Sequence, residues 1–251
     1  MSGGRGLSRR DAVIGGLSIV GVLGLARVWR RSLPLEFRAM ARPAGYRRLV
    51  QAGASGLSGG GALLIGIDAG PRHAPIEDLC QALFQGVGAP GAASIALFTD
   101  YRCPYCKVLD KRLLALVDEA PDQVRLHVHE WPALGPVSER MARLALAARA
   151  QGAWRGMHDL LIATPFVPSD GWIAQSAEKL SLSAARLLRD MHGPETERAL
   201  AETAALASLF GFEGTPGLVI GRNVAAGALT DETLKKLVDD ARSFGPPPGC
   251  A

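Results

Sequence analysis

Cysteine is scarce in this sequence, and no excess of basic charge is found beyond its N-terminal region. Four cysteines in 251 residues are too few to build a disulfide-rich scaffold. Arginine is concentrated in the first 48 residues, so the body of the chain is close to neutral and is not expected to bind nucleic acid. With 48% hydrophobic and 21% charged residues, the chain can bury a sizeable core, which excludes wholesale disorder.

The apolar run at residues 12–26 is short for a membrane span. Fifteen residues extend about 22 Å as a helix, whereas the hydrocarbon core of a bilayer is about 30 Å thick. Arg9 and Arg10 precede the run, and SRRDAVI resembles a twin-arginine export signal except at Ala12, where a large apolar residue is usual. We therefore predict that residues 1–31 are an export signal or an N-terminal membrane anchor, with an ordinary buried helix as the alternative.

Beyond this leader, the hydrophobic pattern predicts an α/β fold interrupted by a block of helices. Residues 32–61 are basic and then glycine-rich, and we interpret them as a linker. We expect a parallel strand–helix–strand unit before the helical block, and an antiparallel hairpin covered by a helix after it. The predicted strands are 62–68, 94–100, 123–131, 217–221 and 223–229, and the predicted helices outside the block are 76–86, the segment that begins at Cys103, and 230–244.

Cys103 and Cys106 are separated by two residues at the junction between a predicted strand and a predicted helix. The first N–H groups of a helix have no partner within the helix, and the helix macrodipole places partial positive charge there. Both effects, together with Arg102 and Lys107, favour a thiolate at Cys103. Cys106 lies one turn further along the same face, where it can attack a mixed disulfide formed by Cys103. The pattern therefore predicts a redox couple, and Pro104 suits the first turn because its missing N–H costs nothing there.

A zinc site and an inert disulfide are the alternatives for these two cysteines. A structural zinc site needs two further ligands at similar spacing, but Cys80 and Cys250 are isolated in the sequence. His127 and His129 fall on one face of a predicted strand, where a partly solvated pair is the simpler interpretation, and we predict no metal and no cofactor. Two possibilities stay open for Cys80 and Cys250: a structural disulfide that pins the C-terminal tail to the helix at 76–86, or a buried free Cys80 beside an untethered tail.

Three stretches of the sequence resemble the DsbA-like branch of the thioredoxin superfamily. They are SIALFTDYRCPYCK, WPALGPVSERMARLALAARAQG and GFEGTPGLVIG, and the resemblance spans about residues 94–243. It implies a thioredoxin-like fold with an inserted helical domain, with Cys103 as the nucleophile and Cys106 as the resolving thiol. It also implies that Pro216 is the family's cis-proline, preceded by Thr215, in a loop that faces the cysteines and can pair with a substrate strand.

The resemblance and the element order together divide the chain into domains. We expect the thioredoxin-like domain at 62–132 and 212–245, the inserted helical domain at 133–211, and a C-terminal tail at 246–251. The last helix of the insert should have Pro194 in its first turn and Gly211 as its stop signal. The predicted helices of the insert are 138–152, 153–163, 172–180, 183–193 and 194–211.

The sequence departs from its relatives at a position associated with proton transfer. Some relatives carry a buried acidic residue six positions before the nucleophile, and Leu97 occupies that position here. Asp100 is the nearest acidic residue, and we expect it to be more exposed because it lies where the strand ends. Proton transfer would then depend on water or on Asp100. We expect His158 to pack between helices rather than to act in the chemistry.

The resemblance implies a thiol-disulfide oxidoreductase, but the motif leaves the direction of electron flow open. Pro104 and Tyr105 lie between the cysteines and help to set the reduction potential. An exported dithiol protein meets an oxidising compartment, which favours donation of disulfides to unfolded or reduced protein substrates. We therefore predict a disulfide oxidase on the periplasmic side of a bacterial inner membrane, recharged by a membrane redox partner. The alternatives are a reductase or isomerase, and a non-catalytic peptide-binding assembly factor or metal-handling factor.

Overall fold

The computed structural model describes residues 34–50, 76–86 and 90–250. The predicted leader and the predicted strand at 62–68 lie outside these residues. No helix within the described ranges is long and apolar enough to cross a membrane.

Six strands of the described residues form one mixed sheet in the order β1-β2-β6-β5-β3-β4. Strands β3 and β4, at one edge of the sheet, are parallel, whereas β5 runs antiparallel to both β3 and β6. This topology confirms the expected parallel unit and the expected terminal hairpin. The strands are β1 (Phe37–Ala39), β2 (Arg47–Leu49), β3 (Ala93–Thr99), β4 (Val124–Glu130), β5 (Gly217–Ile220) and β6 (Asn223–Ala226).

Helices cover both faces of the sheet, so all seven residues of β3 are buried. On one face, Phe98 of β3 packs in a cluster with Phe84 of α1 and Phe210 after α7. Helices α2 and α8 contact the sheet through β4 and β3. The helices of the described residues are α1 (Leu79–Phe84), α2 (Pro104–Glu119), α3 (Pro136–Arg149), α4 (Trp154–Ala163), α5 (Asp170–Lys179), α6 (Ala184–Asp190), α7 (Pro194–Leu209) and α8 (Asp231–Phe244).

Helices α3 to α6 enclose a second hydrophobic cluster, which contains Met141, Leu144, Met157 and Leu187. Tyr101, from the turn after β3, packs into the same cluster. The helical block and the sheet therefore share a contact at the point where the CxxC segment begins. The described residues from Phe37 onward form one compact unit, so the block is not separated from the sheet.

The end of α7 positions the loop that carries Pro216. Pro194 lies in the first turn of this helix, and Gly211 follows its C-cap with a left-handed φ of 59°. The N–H of Phe212 returns to Ala207 O and the N–H of Gly211 returns to Ser208 O, which together form a Schellman motif. Phe212 then packs so closely on Gly217 that a Cβ there would lie 2.8 Å from its ring.

The predicted linker at 32–61 was wrong for the part that forms β1 and β2. These strands have three residues each, too short to show an alternating pattern in the sequence. The arginines of β2 are held by contacts with distant parts of the chain. Arg47 donates to Asn223 Oδ1 at 2.8 Å and to Asp240 Oδ2 at 2.6 Å, and Arg48 donates to the carbonyl oxygen of Phe210.

Cys80 of α1 and Cys250 of the tail form a disulfide, with their Cα atoms 5.0 Å apart. Both residues are buried in the cluster between the sheet, α1 and α7. The hydroxyl of Tyr46 donates to Pro248 O at 3.1 Å beside this bridge. The tail is thus tied to two separate elements of the domain.

Removal of this bridge is expected to lower the free energy of unfolding by about 2–5 kcal/mol, because the bridge restricts the unfolded chain. The experiment is urea unfolding of Cys80→Ala/Cys250→Ala in a Cys103→Ala/Cys106→Ala background, where no other disulfide can form. The background variant itself is the control. Equal unfolding midpoints and slopes for the two proteins would contradict a stabilising role.

Candidate active site

The CxxC segment occupies the turn from β3 into α2. Cys103 is the N-cap residue of α2, with an extended backbone and no side-chain capping bond to the first turn, and Pro104 follows it. The N–H of Cys103 donates to Asp100 O at 3.1 Å, which closes the turn. The first N–H groups of α2 are therefore left without a side-chain acceptor next to the Cys103 sulfur.

The two cysteines are free thiols with different environments. Cys106 has no exposed surface, whereas Cys103 keeps 5% of its surface exposed. Cys103 is therefore largely buried as well, with only a small surface left for an attacking group. The carbonyl oxygen of Thr215 lies 3.4 Å from the Cys103 Sγ atom and covers one side of it.

Thr215 contacts both sulfurs. Its carbonyl accepts from Cys103, and its side chain acts to lower the pKa of Cys106. The peptide bond between Thr215 and Pro216 is cis. The loop before β5 thus lies directly against the start of α2, in the position that the resemblance implied.

The Cys106 thiol is enclosed by polar groups but remains difficult to ionise. The N–H of Asp100 donates to its Sγ atom at 3.4 Å, and the side chains of Thr215 and Thr99 also act to lower the pKa of this thiol. Burial outweighs these bonds and raises the pKa of Cys106 to about 12. At neutral pH this sulfur is a thiol in the dithiol state.

Asp100 is buried with 1% of its surface exposed, so its predicted exposure was wrong. Its carboxylate accepts from the N–H of Arg102 at 2.7 Å, the N–H of Leu134 at 3.0 Å and the hydroxyl of Ser138 at 2.8 Å. Leu134 and Ser138, which cover Asp100 at the end of β3, come after β4 in the chain. The sequence around Asp100 therefore does not reveal its burial. Asp100 holds the turn against the start of α3, and its backbone rather than its carboxylate reaches Cys106.

Asp110 is a site residue that the sequence analysis missed. It lies one turn after Cys106 on the buried face of α2 and is 2% exposed. The hydroxyl of Thr99 donates to its Oδ2 atom at 3.1 Å. Burial, with a smaller contribution from Glu130, raises the pKa of Asp110 to about 7 despite that hydrogen bond. The available signal was a carboxyl four residues after a buried cysteine, in the same helical stripe.

A buried polar network extends from Asp110 into the helical block. His158 of α4 is fully buried; its Nε2 atom lies 3.9 Å from Asp110 Oδ1, and its Nδ1 atom lies 2.9 Å from the Tyr101 hydroxyl. The same hydroxyl donates to Glu130 Oε1 at 3.2 Å, and Trp154 Nε1 donates to that oxygen at 2.8 Å. Burial raises the pKa of Glu130 to about 7 and lowers the pKa of His158 to about 4. His158 is a packing residue, as expected, but it packs against the site.

Other predicted residues lie outside this network. Tyr105 projects from the first turn of α2 with 64% of its surface exposed. His127 and His129 contact each other on β4, and His129 Nε2 bonds to Leu83 O at 3.0 Å. Burial lowers the pKa of His127 to about 2 and of His129 to about 4, so both rings are neutral. His129 is buried, whereas His127 is half-buried. Among the residues that the structure describes, no group of three or more His, Cys, Asp or Glu could hold a metal ion.

The sheet, the covering helices and the dithiol at a helix start define the chain as a thioredoxin-fold thiol-disulfide oxidoreductase. Residues 94–239 match the family model described as DSBA-like thioredoxin domain. The chain belongs to this family.

Solved structures of oxidoreductases share this fold. A thioredoxin-like oxidoreductase from Silicibacter pomeroyi DSS-3 is 35% identical, with a TM-score of 0.58 over 65% of this chain and 97% of the other. A periplasmic thioredoxin-like protein from Salmonella enterica serovar Typhimurium is 29% identical, with a TM-score of 0.57 over 68% and 99% of the two chains. The thiol-disulfide exchange protein alpha-DsbA2 from Wolbachia pipientis, at 21% identity, shares the fold with a TM-score of 0.57 over 64% and 90%.

One curated protein also matches the chain over part of its length. It is the Na(+)/H(+) antiporter NhaA 3 of Salinispora tropica, at 27% identity over 176 residues. The match covers 68% of this chain and 24% of the antiporter, so the chain spans about a quarter of the length of that relative.

Asp110→Asn is expected to stabilise the protein at alkaline pH and not at acidic pH. The pKa of Asp110 is raised from 3.8 to about 7, so between these values the folded state keeps a proton that the unfolded chain has lost. The unfolding free energy of the wild type therefore falls as the pH rises through this window. Asparagine cannot ionise, so the variant should gain about 2–4 kcal/mol relative to wild type between about pH 4 and pH 8.

Urea unfolding of wild type and Asp110→Asn at about pH 4 and at about pH 8 measures this gain in unfolding free energy. The exposed Asp122→Asn is the matched control for the loss of one carboxyl group. A stability difference between Asp110→Asn and wild type that does not change with pH would contradict a carboxyl held neutral by burial.

Proposed function

We propose that the protein donates disulfides to reduced substrate proteins through the Cys103–Cys106 couple. The observation that carries the proposal is the unequal pair of sulfurs at the start of α2. Cys103 keeps 5% of its surface exposed beside the Thr215 carbonyl, whereas Cys106 has none. An attacking thiolate from outside can therefore reach only one of the two sulfurs.

The exchange proceeds in two displacements. A substrate thiolate attacks Cys103 Sγ of the disulfide form, a mixed disulfide forms, and the Cys103–Cys106 bond breaks with its electron pair on Cys106. A second substrate thiolate then attacks the substrate sulfur of the mixed disulfide and releases Cys103 as a thiolate. The uncapped first turn of α2 stabilises that leaving group, since its N–H groups and the helix dipole face the sulfur.

The surface around Cys103 suits an extended, unfolded substrate. The backbone of the Thr215–Pro216 loop lies beside Cys103 Sγ, the sulfur that reacts. Tyr105, Leu134 and Phe166 are large apolar side chains with most of one face exposed, and Leu134 and Phe166 belong to segments that contact the turn of Asp100 and Arg102. Unfolded chains expose apolar residues near their cysteines, whereas folded proteins bury them.

An oxidising compartment favours the oxidation of substrate thiols over the reduction of substrate disulfides, and two observations support such a compartment for this protein. The Cys80–Cys250 disulfide is of the kind that persists in oxidising compartments. The similar protein from Salmonella is periplasmic. We infer that this protein works on the periplasmic side of a bacterial inner membrane, exported or anchored by residues 1–31, and that a membrane protein disulfide recharges it. Pro104 and Tyr105 are proposed to set its reduction potential.

Cys103→Ser is expected to abolish both the refolding of a reduced substrate and the reduction of insulin, because no other sulfur is accessible at the site. Cys106→Ser should accumulate a mixed disulfide at Cys103, detectable by mass spectrometry, because the resolving thiol is missing. Cys80→Ala/Cys250→Ala keeps the CxxC pair and is the matched control. Equal activity of wild type and Cys103→Ser would exclude catalysis by Cys103. The protein would then be a peptide-binding protein without exchange activity.

Equilibration with glutathione determines the direction of electron flow. We expect a reduction potential above about −150 mV, in the range of strong disulfide donors. A value near about −270 mV would instead make the protein a reductase. The fraction of oxidised protein is read by alkylation and mass shift, with the Cys80–Cys250 variant used so that only one couple titrates.

A further inference from the structure

The loop between α4 and α5 displays two adjacent large apolar side chains to solvent. Phe166 has 51% of its surface exposed, and Val167 has 52%. Pro165 precedes this pair and Pro168 follows it, and the four residues carry no charge. The chemistry of the two sulfurs makes no use of these side chains. Apolar side chains that stay exposed together next to a reactive site indicate an interaction surface.

Two arginines hold the ends of this 165–168 loop. Arg102 Nη1 donates to Pro165 O at 2.7 Å, and Arg140 Nε donates to Pro168 O at 2.7 Å. Arg140 also forms an ion pair at 2.6 Å with Asp170, at the start of α5. Each proline fixes its own φ angle and restricts the residue before it. The loop is therefore ordered before a partner arrives, which lowers the entropic cost of binding.

The Phe166 ring is supported on one side only. Its centroid lies 6.4 Å from that of Trp172 of α5, with the two rings nearly perpendicular. Trp172 is partly buried and packs against the hydrophobic cluster of the helical block. The ring is thus positioned by the fold, while half of its surface stays available to a partner.

The bond from Arg102 limits the distance between the loop and the reacting sulfur. Arg102 directly precedes Cys103, and its guanidinium contacts the residue before Phe166. Ordinary bond lengths then keep the Cα atoms of Cys103 and Phe166 within about 15 Å of each other. An extended chain advances about 3.3–3.6 Å per residue, so about four residues of a bound substrate cover this distance.

We propose that the 165–168 loop binds an apolar side chain of the reduced substrate that lies within about four residues of the substrate cysteine. This inference rests on the proposed exchange function and adds substrate specificity to it. Phe166 and Val167 are the specificity-determining residues. The substrate then has two contacts, one with this loop and one with the Thr215 carbonyl beside Cys103 Sγ.

The apolar character of the loop selects one class of thiol. A reduced chain that has not yet folded exposes apolar side chains beside its cysteines, whereas a folded protein buries them. Glutathione and other small thiols carry no such side chain. The loop therefore favours unfolded substrate proteins over both folded proteins and small thiols.

The Cys106→Ser variant, with thionitrobenzoate disulfide-bonded to Cys103, isolates the first displacement. A peptide thiolate attacks Cys103 Sγ, a Cys103–peptide disulfide forms, and thionitrobenzoate leaves with the electron pair and is measured by its absorbance. The peptides have one cysteine and differ only in Phe or Ser at a chosen distance from it. We expect Phe within about four residues to raise the second-order rate constant about 10-fold over Ser, with no gain at about eight residues.

Variants of the loop assign this preference to Phe166. In the same background, Phe166→Ala should bring the ratio of the Phe and Ser peptides to about 1, and Phe166→Leu, which keeps an apolar side chain, should retain most of it. Leu188→Ala removes an exposed apolar side chain of α6 and is the matched control, with the ratio of the parent. The ratio cancels any change in the reactivity of Cys103, because both peptides attack the same sulfur.

An unchanged ratio in Phe166→Ala would overturn the role of the loop and leave the exchange function intact. A preference for Phe that is equal at every distance would overturn it as well, because adhesion without a fixed position would then explain the rates. A wild-type dimer that Phe166→Ala dissociates would assign the loop to contact with a second copy instead. Absence of thionitrobenzoate release with every peptide would refute the exchange function itself.

Discussion

The enclosure of the Cys106 sulfur is the constraint on which the rest of the site depends. It leaves Cys103 as the one sulfur within reach of a partner, and it raises the pKa of the thiol behind it to about 12. Selectivity between the two sulfurs and resistance of Cys106 to ionisation thus have the same cause.

Two residues, Asp100 and Tyr101, connect this enclosure to the helical block. Asp100 binds Leu134 and Ser138 at the start of α3, and Tyr101 packs into the block and binds His158 and Glu130. The block therefore covers the end of β3 and excludes solvent from the acids beneath the CxxC turn. Without it, Asp110 would be a solvated residue on a helix of the sheet domain.

The sequence predicts the fold and the two sulfurs well because both signals are local. The apolar run of β3 and the helical stripe of α2 place Cys103 at their junction without knowledge of the rest of the chain. The other half of the site depends on contacts distant in sequence. Asp100 looked exposed until α3 covered it, and Asp110 looked like an ordinary polar residue until β4 and α4 surrounded it. The short strands β1 and β2 were not predicted for a different reason. A strand of three residues is too short to show an alternating hydrophobic pattern.

The buried carboxyl groups of Asp110 and Glu130 lower the stability of the fold, and this cost indicates that the region has a functional role. Asp110 and Glu130 would each be easier to accommodate as apolar residues of similar size, because burial works against their charged forms. Most of the polar atoms in this region are satisfied, but Glu130 Oε2 and His158 Nε2 have no hydrogen-bond partner. Unsatisfied polar groups and neutralised carboxyls concentrated in one place are typical of a site that holds protons for a reaction. The same burial that weakens the fold at this point brings the pKa values of Asp110 and Glu130 near to neutrality.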